Sequence, residues 1–243
     1  MRKKILISSG FLLLVLMGIC LLVRSKGAIS GSEDRIENRL KKVLEQQECL
    51  IDYVVDDHQV YTIISKSGNT EYGDKLRLFE YAEDGSFECS YENDFSDLKP
   101  WKIELADVDG DGKTDILIGV RKTTHYDAVE KNRLFIFDYT EGKLVKKWTG
   151  SQIAGTWNDF YAEDFLSSKG AELVFISQAE NGRDRLELYY WFGFGFLQLA
   201  QSEEYEDIVG VRISGEKELQ MNCRKNSEEW INLKVKNGKI LND

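Results

Sequence analysis

"RLFIFDYTEGKLVKKWT", residues 133–149, is an alternating apolar segment, a Glu141-Gly142 turn and a second alternating segment. That order spells a β-hairpin. The pattern returns in "KLRLFEYAEDGSFECSYE" (75–92), "RLELYYWFGFGFLQLAQ" (185–201) and "EWINLKVKNGKIL" (229–241), with starts 58, 52 and 44 residues apart. Another apolar strand precedes each copy: "QVYTIIS" (59–65), "DILIGVRK" (115–122), "AELVFISQ" (171–178) and "KELQMNC" (217–223). The first three hairpins are followed by "WKIELAD", "WNDFYAED" and "YEDIVGVR". Four strands repeated over roughly 50 residues is the arrangement of a β-propeller blade. The spacing predicts an all-β, propeller-like domain over residues 49–243, with about four blades and the ring either complete or partial. "CLIDYVV" (49–55) is the segment expected to close it. A β-sandwich is the competing reading, since it too uses short strands and frequent turns.

Two segments precede the repeats. Residues 1–24 open with Arg2, Lys3 and Lys4 and run uncharged from Ile5 to Val23. As a helix these nineteen residues reach about 28 Å, near the thickness of a bilayer core. They predict a single-pass membrane anchor with the remainder extracytoplasmic. A cleaved signal and a lipoprotein at Cys20 are the alternatives. Residues 25–48 read as a polar linker and a short amphipathic helix, with Ile36, Leu40, Val43 and Leu44 on one face.

Charge narrows the partners. The chain is at −10 and its first 24 residues hold four basic and no acidic groups, which leaves −14 beyond Arg24. Such a domain repels nucleic acid and suits cations or basic and neutral surfaces. Beyond the apolar run, Cys49, Cys89 and Cys223 stand at no zinc-binding spacing. They permit one disulfide and one free thiol.

The chemistry concentrates in "DVDGDGKTD" (107–115), with Asp107, Asp109, Asp111 and Asp115 in nine residues. Alternating carboxylates with Gly110 and Gly112 between them can curl around a hard cation, and the Lys113 carbonyl can add an oxygen. An EF-hand would need Glu at the twelfth position, where this chain has Ile118. The loop is expected to join the outer strand of one blade to the inner strand of the next, and to bind Ca2+.

"ADVDGDGKTDILIG" resembles the calcium loop of FG-GAP and VCBS repeats, found in the β-propellers of integrin α subunits and many bacterial surface proteins. The resemblance implies metal ligands at Asp107, Asp109, Asp111, Lys113 (through its carbonyl) and Asp115. It also implies an extracellular recognition or scaffold module more often than an enzyme. Only one loop matches fully. "DFLSSKGAE" (164–172) keeps acids at its two ends, and "GVRISGEKE" (210–218) keeps only the last.

Two further stretches stand out as candidate ligand surfaces. "TTHYDAVEKN" (123–132) reads as a long loop presenting His125 and Tyr126, and "YYWFGFGF" (189–196) presents Tyr190 and Trp191. The sequence therefore predicts a membrane-anchored calcium-binding propeller that recognises an extracellular protein or carbohydrate and is not an enzyme. An accessory subunit of a membrane complex and a glycoside-active hydrolase are the alternatives.

Overall fold

A computed structural model describes residues 30–243, apart from 58, 67, 83–85, 151, 167–168 and 224–228. The expected membrane segment, residues 1–24, lies outside the described residues. Among these, no helix is long and apolar enough to cross a membrane. The described residues are all-β beyond one helix, α1 (Ser30–Val43), and a short 3₁₀ turn.

Among the described residues, sixteen strands form four antiparallel meanders in chain order. Unit one holds β1 (Cys49–Asp56), β2 (Gln59–Ser65), β3 (Lys75–Tyr81) and β4 (Phe87–Asp94). Unit two holds β5 (Pro100–Ala106), β6 (Asp115–Thr124), β7 (Asp127–Thr140) and β8 (Lys143–Thr149). Unit three holds β9 (Thr156–Glu163), β10 (Glu172–Gln178), β11 (Asp184–Trp191) and β12 (Phe196–Ser202). Unit four holds β13 (Ile208–Ile213), β14 (Leu219–Cys223), β15 (Ile231–Lys236) and β16 (Lys239–Asn242). Each hairpin read from the sequence is the third and fourth strand of a unit. Glu141 and Gly142 (φ 53° and 73°) and Asn237 and Gly238 (φ 52° and 74°) make left-handed pairs at two of the turns, matching the twist of the flanking strands.

The units stack face to face, and side-chain alternation decides which neighbour each residue meets. In unit two, Ile116, Ile118, Phe135 and Phe137 pack with Ile63, Leu76 and Leu78 of unit one. Leu117, Leu134 and Ile136 point the other way, to Phe160, Leu173 and Phe175 of unit three. Val174, Ile176, Leu186 and Leu188 then meet Val211, Leu219, Met221 and Leu233 of unit four. Strands such as "DILIGV" read as unbroken apolar runs because both their faces are buried. Units three and four also join along their outer strands, β12 running parallel to β16 with Gln201 opposite Lys239. Their first strands, β9 and β13, touch as well, so this eight-stranded sheet curls into a nearly closed barrel.

The ends of the stack differ from expectation. β1 pairs with β2 inside unit one, so "CLIDYVV" is that unit's first strand and does not complete unit four. The free face of unit one (Val60, Ile64, Phe79) is covered by α1 through the wholly buried Leu40. The short amphipathic helix read from the sequence is thus a cap. On the free face of unit four, Arg212 Nε donates to Gln220 Oε1 (2.7 Å) and Gln220 Nε2 donates to Asn232 Oδ1 (2.6 Å). That face is polar and needs no cap. Cys49, Cys89 and Cys223 are all free thiols, so the permitted disulfide does not form among them.

Glu48 ties the helix end to the sheet. Arg77 donates to both its oxygens at 3.0 Å, and Lys75 Nζ donates to Oε1 at 3.0 Å. Burial alone would raise the Glu48 pKa, but these cations and the Glu45 backbone bring it down to about 2. A carboxyl depressed on folding stabilises above its unfolded pKa near 4.5, and that contribution disappears as pH falls toward 2. Glu48→Gln should therefore melt lower than wild type at pH 7, with the gap closing between pH 4.5 and about 2 in pH-dependent thermal scans. Leu40→Ala should cost about 2–5 kcal/mol in denaturant unfolding, as for other fully buried leucines. A loss below about 1 kcal/mol would mean that α1 does not cap unit one.

Candidate metal centre

The aspartate loop lies between β5 and β6, the first two strands of unit two. It is therefore a connection within one unit, contrary to the expectation of an inter-blade crossover. Its contacts nevertheless cross units. Val108 is fully buried between units two and three, and the Ala171 N–H donates to the Asp107 carbonyl at 2.7 Å. Gly110 and Gly170, both at positive φ, meet backbone to backbone. A Cβ on Gly170 would sit 2.5 Å from the Val108 oxygen, and one on Gly110 would sit 3.0 Å from the Gly170 nitrogen.

Asp107 organises the curl. Its Oδ1 accepts from the N–H groups of Gly110 (2.7 Å) and Asp111 (3.1 Å), and its Oδ2 accepts from Gly112 (2.8 Å). Asp115, wholly buried at the start of β6, accepts the Val108 N–H on Oδ2 at 3.1 Å. Asp107, Asp109 and Asp115 each direct an oxygen into one space, all within 4.8 Å of one another. Oxygens about 2.4 Å from a shared calcium lie at most about 4.8 Å apart, and these three fall within that limit. Asp111 stays outside the cluster, exposed, with its Oδ1 accepting from the Lys113 N–H at 2.9 Å. Lys113 is exposed too. Three of the four carboxylates read from the sequence thus converge.

Sequence reading missed Lys147. From β8 its Nζ stands 2.6 Å from Asp115 Oδ1, 3.0 Å from Asp109 Oδ2 and 3.2 Å from Asp138 Oδ1. Burial alone would lower the ammonium's pKa, but the surrounding carboxylates raise it above the ordinary value, so Lys147 stays charged. Burial pushes the Asp115 carboxyl up to about 7, with Lys147 and the Val108 N–H acting against it. Asp109, less buried, is held below its usual value by the same lysine.

Both expected ligand stretches lie at the ends of hairpins. Residues 123–132 are no loop. β6 and β7 extend as a long hairpin, pairing Lys122 with Lys131 and Thr124 with Asp127, because the β-branched Thr123, Thr124 and Val129 suit strands. His125 and Tyr126 form its tip, Tyr126 standing 96% exposed, and Asp127 is bound by Arg133 and Lys131. In the aromatic hairpin Trp191 packs edge-on against Phe196 (5.1 Å between centroids) over the core between units two and three. Tyr190 leans on Phe192 (6.4 Å). Phe192 and Phe194 are the exposed members.

No protein-family profile and no curated protein matches the chain. Among solved structures it is similar to a Bacteroides fragilis protein provisionally assigned as a 6-phosphogluconolactonase, at 12% identity over 78% of this chain and 67% of that one, with a TM-score of 0.43. A Bacteroides uniformis protein of the same provisional assignment matches at 13% identity over 78% of this chain and 68% of that one, with a TM-score of 0.41. Such scores carry no activity across. The names are nonetheless those of enzymes, and they lend nothing to the expectation of a non-enzymatic recognition module. The expectation of a membrane-anchored calcium-binding module that recognises a protein or carbohydrate finds no counterpart among these neighbours and is set aside. Of its expected contact residues, His125 and Tyr126 form one hairpin tip, and Tyr190 and Trp191 stand half-buried at the end of β11.

The docked glycines give a test. Gly112 has φ +85° but open space around its Cβ position, whereas Gly170 has φ +86° and backbone at 2.5 Å. Gly112→Ala should cost about 1–2 kcal/mol, the left-handed backbone term alone. Gly170→Ala should cost clearly more, because two loop backbones must separate. Equal losses in chemical denaturation would mean that the two loops are not locked together.

Proposed function

We propose that residues 49–243 are a β-propeller-like scaffold of four blades, open between the first and the last. In it the 107–115 loop is a joint braced by a divalent cation, with calcium the best fit. The observation that carries this reading is the convergence of Asp107, Asp109 and Asp115 where two loops from adjacent units meet backbone to backbone. The loop's likeness to FG-GAP and VCBS repeats supports it. The openness rests on the helix covering one free face and the polar network on the other.

The role is mechanical. A cation shared by Asp107, Asp109 and Asp115 would neutralise charge that otherwise drives the loop apart, since two carboxylates 4 Å apart repel by about 4 kcal/mol at an effective dielectric near 20. It would also stiffen the backbone that Ala171 and Gly170 rest on. Calcium held there would serve to fix the loop. It adds positive charge and a fixed coordination shell where the protein supplies oxygens.

For a site of about 0.1–1 mM affinity, 1 mM calcium adds roughly 0.4–1.4 kcal/mol of stability. In a domain of this size that raises the melting temperature by about 1–6 °C. Asp109→Ala should abolish most of the rise, and magnesium should give less of it. A melting temperature indifferent to both EGTA and calcium in the full chain would remove the cation from the joint.

A further inference from the structure

Comparison of the repeats isolates Lys147. In units one, two and three the outer hairpin strand carries one extra residue at the same place. The pairing slips between Leu78 and Phe79, between Ile136 and Phe137, and between Leu188 and Tyr189. The residues left without a cross-strand partner are Ser90, Lys147 and Leu199. A bulge of this kind re-aims one side chain. The bulge belongs to the repeat, but the lysine does not. Ser90 turns its hydroxyl back to the Leu78 carbonyl at 3.5 Å, and Leu199 is exposed. The lysine occurs in the unit that also carries the aspartate loop, and its side chain is only 11% exposed.

Its position is that of a cation. The ammonium contacts Asp109 and Asp115, two of the three carboxylates that converge, and adds Asp138 from the neighbouring strand β7. Asp115 Oδ1 is wholly buried and receives no hydrogen bond of proper geometry. Its neighbour is the ammonium at 2.6 Å. The Lys147 charge therefore does there what a bound cation would do. A calcium ion drawing oxygens from Asp109 and Asp115 at about 2.3–2.6 Å cannot coexist with an ammonium against the same oxygens. Asp138 is outside the converging set and a third exposed, so it offers the displaced ammonium a place to stay.

We infer that Lys147 sets the cation affinity of the aspartate loop by acting as a tethered internal competitor. A divalent cation binds only by exchanging with its ammonium, which then moves toward Asp138 and solvent. This rests on the cation reading of the loop. In both states a positive charge offsets part of the negative charge of the joint. It also shifts occupancy to higher cation concentration than the bare carboxylates would need.

The test uses the full chain and calcium alone, with calorimetric titration and melting curves for wild type, Lys147→Met and Lys147→Ser. The last places at the bulge the residue that unit one already uses there. Both variants should melt lower than wild type without metal, and bind calcium at least tenfold more tightly. Calcium binding by the variants but not by wild type would be the extreme form of the same result. Equal affinity in all three would overturn the competitor while leaving the cation site standing. No calcium binding in any of them would overturn the cation reading and the competitor with it. Should the variants fail to fold, wild type alone decides. The protected ammonium signal of Lys147 in a lysine-labelled NMR spectrum should be lost at saturating calcium, and its persistence there would overturn the inference.

Discussion

A four-stranded meander whose central strands are apolar on both sides has to be covered on both, and that requirement organises this chain. β6 and β7 send alternate residues to two different neighbours, so unit two can be stable only between units one and three. Unit three is committed in the same way by Val174 and Ile176 on one side and Leu173 and Phe175 on the other. Each unit covers its neighbour, as in other stacked-repeat proteins, and the two ends need separate solutions. One end borrows the helix that carries Leu40, and the other replaces apolar residues with Arg212, Gln220 and Asn232.

Within that stack the polar groups sit where the first strands approach one another. Lys102 on β5 is buried and donates to Asp159 on β9 at 2.8 Å, with the Phe160 and Tyr161 rings 4.4 and 4.2 Å away. A buried ammonium is tolerable only with such partners, and it fixes the lateral position of unit three against unit two more sharply than aliphatic packing can. The glycine contact between loops 107–115 and 164–172 acts at another point of the same interface. These two contacts add to the apolar packing and to the Asn132–Trp157 hydrogen bond (2.8 Å) that also join the two units. A cation at the aspartate loop would adjust one of them without disturbing the other.

Much of the architecture was legible because it is local. The hairpins and the preceding strands follow from alternation, and three of the four turns from glycine next to Glu, Asp or Asn. Residues 133–149 alone contain β8 and most of β7. What the sequence concealed is what distance conceals. Nothing in "CLIDYVV" says whether it pairs with β2 or with the last strand, since both are close-by or topologically permitted partners of an apolar segment. The role of Lys147 was hidden for a different reason. In "KLVKKWT" it is one lysine of three, and only the slip in pairing that leaves it opposite no residue turns it toward Asp115, 32 positions earlier. The 123–132 segment misled through its charged and small residues, which usually mark loops, although its threonines and Val129 could extend a hairpin.

The ninth-position acid shows how the candidate site relates to the rest of the fold. In unit three, Glu172 begins β10 as Asp115 begins β6, fully buried, and its Oε2 accepts from the N–H groups of Phe165 (3.3 Å) and Leu166 (3.1 Å). Asp115 does the same for Val108. Both acids tie the start of the β-strand to the loop before it, which satisfies buried donors that no ladder reaches. This task is common to both units and needs no metal. The converging set is built on it by adding Asp107 and Asp109, which bring more negative charge than one capped loop can hold, and Lys147, which offsets part of it. The charge balance of unit two therefore depends on a residue from the far edge of its sheet. Unit three, with Leu166 between its acids, has no such need.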